Sequence, residues 1–234
     1  MGMPASYYGK LLAAMSAAGI TTGLMEQRGH EAEGGRVAGW SYDFGYAGIV
    51  DDIEAAVARL TELAPDTKPV LLGHSLGGQT GAAYAAAHPD TLSGLVLVGA
   101  PSPYWPNYGR RFLAISVAMG LVGQVVGHFP GQQLRFAGRE ARTLMLEWSG
   151  LARTGRLRYA GKDAGPALAE LTLPLLAISI EGDTLAPPKA VDEITRLMPR
   201  TALTRVHLDD EGIDHFKWAR RPDGTIKALL DWLS

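Results

Sequence analysis

PVLLGHSLGGQTGAAY, residues 69–84, is the stretch from which the fold of this chain follows most directly. Its apolar residues 70–72 predict a buried strand, and the small residues of 78–87 predict a helix. Between them, residues 73–77 read GHSLG and match G-x-S-x-G in the strand–turn–helix context that this pattern requires. A serine on so sharp a turn is held in a strained backbone conformation, with its hydroxyl projecting from the top of a sheet. Ser75 is therefore the candidate nucleophile.

The residues around Ser75 suit that role. We expect glycine at Gly73 and Gly77 because side chains there would collide with the neighbouring strand and helix. The predicted helix begins just after Ser75, so its dipole favours negative charge there and the N–H of Leu76 can donate to an oxyanion. The alternative interpretation is a tight turn with a surface serine. The spacing excludes a P-loop, which needs a lysine after the glycines, and a G-x-G-x-x-G dinucleotide fingerprint.

Length and composition limit the possible classes of protein. The chain has 234 residues, a net charge of −2 and no cysteine. It can form one α/β domain with a sizeable core, and its charge argues against nucleic-acid binding. The lack of cysteine excludes disulfides, thiolate nucleophiles and zinc–thiolate sites. No signal-peptide pattern opens the sequence, which indicates a cytoplasmic protein. Residues 112–126 are strongly apolar but too short to span a bilayer, so we expect a buried or pocket-lining helix and no transmembrane segment.

Predicted strands and helices alternate along the chain, which indicates an α/β fold with a mostly parallel sheet flanked by helices. The predicted helices are 5–18, 48–63, 78–87 and 226–233, and the predicted strands are 20–25, 69–72, 92–98, 173–180 and 202–208. Residues 101–170 interrupt the alternation with helical patterns and no good strand. We therefore expect a helical cap insertion at 101–165 between two parts of one core, 1–100 and 166–234.

A nucleophilic serine needs a general base, and the base needs an orienting acid. With the elbow motif, the acid and then the histidine follow the serine along the chain. The loop after the 173–180 strand offers Asp183, whose alternative role is to cap the next helix, and Glu181 is the runner-up acid. Of the six histidines, His215 follows the last strand and is the predicted base. His207, inside that strand, is the alternative.

The motifs GHSLGG, EGDTLAPP and DHFKWAR, in that order, resemble the α/β-hydrolase superfamily. More narrowly, the chain is similar to bacterial predicted α/β-hydrolases of the serine-aminopeptidase-like, lysophospholipase-like group. The likeness covers nearly the whole chain, including SPYWPNYG and FPGQQLRFAGREAR. The resemblance implies a catalytic triad of Ser75, Asp183 and His215, and gives little on substrate.

One departure from the family concerns the start of the chain. In the family a hairpin and a central strand precede the oxyanion loop, and here residues 1–4 resemble that loop itself. The resemblance therefore implies that Met1 or Gly2 supplies the second oxyanion donor. It also implies that the N-terminal strands are missing, with an exposed slot between the 20–25 strand and the 69–72 strand.

The predicted cap has a charge and an aromatic set of its own. It holds eight arginines and one lysine against three carboxylates, so its net charge is +6 and that of the remainder is −8. This pattern is typical of a solvated helical face, and it could also attract an anionic head group or surface. The aromatic residues of the cap have two possible roles. They either pack in the core or line an apolar pocket for an acyl group. They are Tyr104, Trp105, Tyr108, Phe112 and Trp148.

These features predict a serine hydrolase that cleaves a carboxylic ester or thioester through an acyl-enzyme on Ser75. The expected substrate is a small molecule with an apolar acyl group, and no metal or organic cofactor is implied. An acyltransferase or amidase with the same triad is one alternative. A non-catalytic protein that retains a hydrolase fold is another.

Overall fold

Nine α-helices and eight strands occur in the computed structural model, which describes residues 1–32, 34–134 and 136–234. The helices are α1 (Gly9–Ala17), α2 (Tyr46–Leu63), α3 (Leu76–Ala87), α4 (Arg110–Val126), α5 (Gly131–Leu134), α6 (Arg142–Thr154), α7 (Gly165–Glu170), α8 (Pro188–Thr195) and α9 (Asp223–Leu233). Short 3₁₀ turns cover Ala5–Tyr8, Trp105–Asn107 and Lys217–Arg220.

The strands form one parallel sheet and two small ribbons. They are β1 (Val70–His74), β2 (Gly94–Val98), β3 (His128–Pro130), β4 (Arg139–Ala141), β5 (Arg158–Tyr159), β6 (Lys162–Asp163), β7 (Pro174–Ile180) and β8 (Ala202–Leu208). The main sheet has the order β1-β2-β7-β8, and all its neighbours are parallel. The predicted α/β class, with a parallel sheet flanked by helices, is confirmed.

Strand β2 shows how the sheet builds two cores. Successive side chains of a strand point to opposite faces. Leu95 and Leu97 accordingly pack into a core with α2, α3 and the 101–165 segment, whereas Val96 and Val98 pack into a second core with α1 and α9. All four side chains are fully buried, which explains the continuous apolar run of this strand.

The predicted strand at 20–25 is wrong. These residues form no strand, and most of them are exposed. A strand exists only where a neighbour supplies hydrogen bonds, and within the described ranges no strand lies beside residues 20–25. For the same reason β1 is an edge strand, and most of its residues are half-buried rather than buried as the apolar run at 70–72 had suggested.

Residues 101–165 leave the sheet between β2 and β7. Their helices α4 and α6 pack together closely because α4 presents Gly120 and Gly123 to α6, with Ser149 and Arg142 on the facing side. The prediction of a mainly helical segment without strands missed two antiparallel ribbons, β3–β4 and β5–β6. Strands of two or three residues are too short to leave an alternating pattern in sequence. In the part of the chain that the structure describes, no helix has both the length and the apolarity to cross a membrane.

Candidate active site

Ser75 lies on the sharp turn between β1 and α3. Its backbone has φ 54° and ψ −118°, a conformation that is strained for a residue with a side chain. The turn is fixed from both sides, since the Ser75 N–H donates to the carbonyl of Val98 at 3.1 Å and the Gly78 N–H donates to the carbonyl of Ser75 at 3.0 Å. This geometry directs the serine side chain above the carboxyl end of the sheet, where parallel α/β folds bind ligands.

The positions around Ser75 that sterically require glycine are not all the ones that the sequence predicted. A β-carbon at Gly73 would overlap the carbonyl of Gly77, and one at Gly78 would overlap the side chain of Ala100. At Gly77 a β-carbon would meet no atom of the described residues within 4 Å. The expectation for Gly73 is met, the one for Gly77 is wrong, and the crowded second position is Gly78, because the start of α3 approaches the loop after β2.

Three side chains from distant parts of the sequence meet at the serine. The Ser75 Oγ lies 3.1 Å from Nε2 of His215, and Nδ1 of His215 lies 2.7 Å from Oδ2 of Asp183. Asp183 and His215 are buried. The other carboxylate oxygen of Asp183 accepts the backbone N–H groups of Leu185 at 2.9 Å and Ala186 at 2.7 Å. The acid is thereby oriented so that its remaining oxygen faces the imidazole.

The runner-up acid and base bind each other at a separate place. Nε2 of His207 lies 3.0 Å from a carboxylate oxygen of Glu181, and its Nδ1 lies 2.7 Å from the Ser179 hydroxyl. Neither residue lines the cavity at Ser75. The geometry therefore favours Asp183 and His215 over this pair.

The loop that carries His215 is stabilised by hydrogen bonds to the side chain of the preceding residue, Asp214. The carboxylate of Asp214 accepts the backbone N–H groups of Phe216 at 3.0 Å and Lys217 at 2.8 Å. Burial alone would raise the pKa of Asp214, but the hydrogen bonds from these two residues outweigh it and lower that pKa. Asp214 therefore stays ionised at neutral pH and stabilises the turn just after His215.

A second imidazole, that of His74, packs against the ring of His215. The two ring centroids are 4.7 Å apart, and Nδ1 of His74 is 2.8 Å from the Tyr8 hydroxyl. Burial, together with the nearby His215, holds the pKa of His74 well below its ordinary value. His74 is therefore neutral and places no positive charge against the imidazole of His215.

A cavity of about 160 Å³ opens at Ser75 and His215. Of the predicted pocket aromatics, Tyr108, Phe112 and Trp148 line it, and Tyr104 and Trp105 do not. Tyr104 instead packs against the backbone of Gly155. The lining residues that the sequence reasoning missed are Gln79, Pro101, Pro103, Phe136, Thr184 and Leu185.

The predicted oxyanion donors lie in different surroundings. Leu76 lines the cavity, and as the first residue of α3 its N–H has no acceptor within the helix. Met1 also lines the cavity. Gly2 is not among the lining residues, and its backbone packs against Gly138 so closely that a β-carbon would overlap it.

A buried polar network lies behind the cavity. Gln79 accepts the Tyr46 hydroxyl at 2.6 Å and donates to the carbonyl of Pro101 at 2.9 Å. The backbone N–H of Tyr46 donates in turn to Glu147 of α6 at 2.6 Å, while burial raises the pKa of Glu147. These bonds connect α2 and α3 to the first residue of the 101–165 segment and to α6. The position of Gln79, one helical turn after Ser75, is the signal that could have found it.

Tyr108 joins the 101–165 segment to the loop of the acid. Its hydroxyl donates to the carbonyl of Leu185 at 2.8 Å, and its ring stacks on Phe112 with centroids 4.4 Å apart. Because Leu185 also donates its N–H to Asp183, the cavity wall and the acid are linked through one residue.

Comparisons with known proteins agree with this architecture. The family model described as Serine aminopeptidase, S33 matches residues 1–213. The chain is 25% identical to a 2-(acetamidomethylene)succinate hydrolase of Mesorhizobium japonicum, over 92% of this chain and 78% of that protein. It superposes with a TM-score of 0.67 on the monoacylglycerol lipase of Paleococcus ferrophilus, at 19% identity over 100% of this chain and 90% of that one. A thermophilic esterase from Thermogutta terrifontis gives the same TM-score of 0.67, at 17% identity over 99% of this chain and 85% of that one.

At such identities the superpositions establish the fold, and the family match covers most of the sequence. The chain therefore belongs to the serine aminopeptidase S33 family and is a hydrolase of the α/β-hydrolase superfamily.

Proposed function

We propose that the protein is a serine hydrolase that cleaves a carboxylic ester or thioester through an acyl-enzyme on Ser75. The observation that carries the proposal is the continuous chain of contacts from Ser75 through His215 to Asp183, at 3.1 Å and 2.7 Å, beside a cavity. Both distances are within the reach that proton transfer between a nucleophile, its base and an orienting acid requires.

In the first half of the reaction Ser75 Oγ attacks the acyl carbon while Nε2 of His215 takes the hydroxyl proton. Asp183 holds the other imidazole proton on Nδ1 and stabilises the imidazolium. The negative oxygen that forms receives the N–H of Leu76, assisted by the dipole of α3. We assign the second donor to the 1–2 segment, since Met1 lines the cavity. The tetrahedral intermediate then collapses, and His215 gives its proton to the departing alcohol or thiol.

In the second half water replaces the leaving group. His215 takes a proton from the water, whose oxygen attacks the acyl carbon of the ester on Ser75. A second tetrahedral intermediate forms in the same oxyanion site and collapses when His215 returns the proton to Ser75 Oγ. The carboxylic acid is released and the free enzyme is restored.

The cavity supports a short, uncharged acyl group. Its volume of about 160 Å³ is below the roughly 300 Å³ at which drug-sized ligand pockets begin. Its wall is aromatic at Tyr108, Phe112, Phe136 and Trp148, and the described residues that line it include no lysine or arginine. Because these four aromatic residues all belong to 101–165, we propose that this segment is a cap over a core made of 1–100 and 166–234.

A fluorophosphonate probe and an ester series test the proposal. The wild-type protein is expected to be labelled once, at Ser75, and to hydrolyse p-nitrophenyl acetate and butyrate faster than the decanoate. The Ser75→Ala variant is expected to lose the label and roughly 10⁴–10⁶-fold in turnover, as loss of a triad nucleophile does. A folded Ser75→Ala variant that keeps its activity would reject Ser75 as the nucleophile. A wild-type protein that neither reacts with the probe nor hydrolyses the esters would favour a non-catalytic protein.

An amidase that uses the same residues is the second candidate. The relative at 25% identity is named for hydrolysis of 2-(acetamidomethylene)succinate, an acetamido compound. That substrate is also a dicarboxylate, which the aromatic lining described above does not complement. We therefore expect turnover of neutral esters to exceed that of 2-(acetamidomethylene)succinate, and the reverse preference would support the amidase. The ratio of new ester to free carboxylic acid formed when an alcohol is added distinguishes an acyltransferase, which makes the ester, from either hydrolase, which makes the acid.

A further inference from the structure

Helix α4 exposes an apolar face on the outside of the 101–165 segment. From 112 to its end at 126 the helix carries no charged residue. One side packs against α6 through buried small residues. The opposite side, spaced at helical intervals of three and four and exposed to solvent, is here called the α4 stripe: Ile115, Ala118, Leu121 and Val125. The helix therefore has one packed and one exposed side, and Phe112 reaches the cavity, which agrees with the pocket-lining alternative rather than with a fully buried helix.

The exposure of the α4 stripe is large. The exposed fraction is 51% at Ile115, 58% at Leu121 and 79% at Val125. Single exposed apolar residues are common on protein surfaces, but a continuous row of them along one helix marks an interaction site. The row begins one turn from Phe112, which lines the cavity at Ser75.

A tryptophan extends the surface beyond the end of α4. The exposed fraction of Trp40 is 64%. Its indole lies against the backbone of Gly127, where a β-carbon would be 2.6 Å from the ring. The guanidinium of Arg142 lies 5.1 Å from the centroid of that indole. An indole beside a cation is suited to the boundary between apolar chains and charged head groups, where tryptophan is enriched.

The charge of the segment identifies the partner. Residues 101–165 carry a net +6 and the remainder of the chain −8. Arg110 and Arg111, both exposed, begin the same helix that carries the stripe. A helix with one apolar face and neighbouring arginines has the chemistry of an interfacial helix on anionic lipid. A two-fold dimer through this face would instead bring two segments of charge +6 together.

We propose that the α4 stripe, with Trp40 at its end, docks the protein on a lipid bilayer that carries anionic head groups. The helix lies along the interface with Leu121 and Val125 inserted among the acyl chains, and the arginines contact the head groups. Docking turns the segment that bounds the Ser75 cavity towards the lipid surface, so that an apolar substrate can pass to the cavity without crossing bulk water.

Vesicle co-sedimentation of the Ser75→Ala protein tests the docking surface. Binding is measured without turnover, so the result is independent of the proposed function. The protein is expected to bind vesicles of equimolar phosphatidylcholine and phosphatidylglycerol at least about tenfold more tightly than phosphatidylcholine alone, and less tightly in high salt. Leu121→Glu and Val125→Glu should each weaken binding by about tenfold or more. Leu63→Glu is the matched control, because Leu63 is 65% exposed at the end of α2, outside the segment.

A milder variant keeps the test valid if glutamate disturbs folding. The double variant Leu121→Ala/Val125→Ala removes apolar surface with residues that a helix favours, and it should still lower binding several-fold. Failure of the parent protein to bind either vesicle would overturn the proposal. So would equal loss in the Leu63→Glu control, or unchanged binding in the stripe variants. Sedimentation of a dimer that Leu121→Glu dissociates, without vesicle binding, would assign the stripe to a second copy of the chain.

Discussion

Replacing Asp183 with asparagine tests the hydrogen-bonding logic of the site most directly. One carboxylate oxygen accepts two backbone N–H groups, from Leu185 and Ala186, and the other accepts the Nδ1–H of His215. Asparagine has a single acceptor oxygen. If that oxygen stays with the backbone donors, the side-chain NH₂ faces Nδ1, which must then be unprotonated. The imidazole proton moves to Nε2, which can no longer accept the proton of Ser75.

The size of the effect follows from what the amide must lose to restore the productive tautomer. Turning the asparagine oxygen to His215 directs its NH₂ at the N–H groups of Leu185 and Ala186. One buried donor, at Ala186, and one partly buried donor, at Leu185, then lose their acceptor, at about 1–3 kcal/mol each. A total of about 2–6 kcal/mol corresponds to a loss of roughly 30-fold to 10⁴-fold in turnover. We expect Asp183→Asn to lie in this range, below the loss for Ser75→Ala.

The assay is kcat for p-nitrophenyl acetate hydrolysis together with thermal unfolding of the same samples. Asp192→Asn is the control, because Asp192 of α8 pairs with Arg205 of β8 at 2.8 Å and makes no hydrogen bond to Ser75, Asp183 or His215. We expect that control to retain its turnover. An Asp183→Asn variant that unfolds like wild type and turns over within about threefold of it would refute the reasoning, since neither orientation of the amide permits this.

Three other outcomes are expected. Gly78→Ala should lower the free energy of unfolding by about 1–3 kcal/mol because its β-carbon overlaps a neighbouring side chain, whereas Gly77→Ala has open space and should be neutral or stabilising in urea titrations. The buried, neutral His74 should make the protein lose stability as pH falls below its ordinary pKa of 6.5, because the unfolded chain then binds a proton that the folded chain does not. This loss, at most about 1.4 kcal/mol per pH unit, should be absent in His74→Phe, and equal slopes would contradict it. Tyr108→Phe removes the 2.8 Å bond to Leu185 and should raise KM by about fivefold with a smaller change in kcat, and a selective fall in kcat would argue against a wall-positioning role.

The parts of the fold that the sequence predicted well are those whose local pattern and tertiary role agree. The apolar runs of β2 and β7 are buried on both faces, so composition alone identifies them. The G-x-S-x-G turn dictates its own backbone conformation at Ser75. Chain order then nominated Asp183 and His215, the two residues whose side chains the structure brings into contact beside Ser75.

Features that depend on contacts between distant segments could not be predicted from the sequence. Residues 20–25 have the composition of a strand, but strand pairing is a property of two segments and the partner is not encoded locally. Tyr104 and Tyr108 look equivalent in sequence, yet only Tyr108 reaches the cavity, because the turn between them decides which aromatic ring faces inward. The position of Gln79 one helical turn after Ser75 indicated that it lies near the site, but nothing in the sequence identified Tyr46 and Pro101 as its partners.

The order β1-β2-β7-β8 has a consequence for how the protein folds. Ser75 follows the strand at one edge of the sheet and His215 follows the strand at the other, 140 residues away in sequence. Because β2 and β7 lie between these two edge strands, we expect the serine and the imidazole to meet only when the sheet has assembled. Proteins rich in contacts of such long range fold slowly, so we expect partly folded chains to have secondary structure without a reactive serine. Recovery of fluorophosphonate labelling during refolding will therefore report the last step of sheet assembly, after the helical circular dichroism signal has returned.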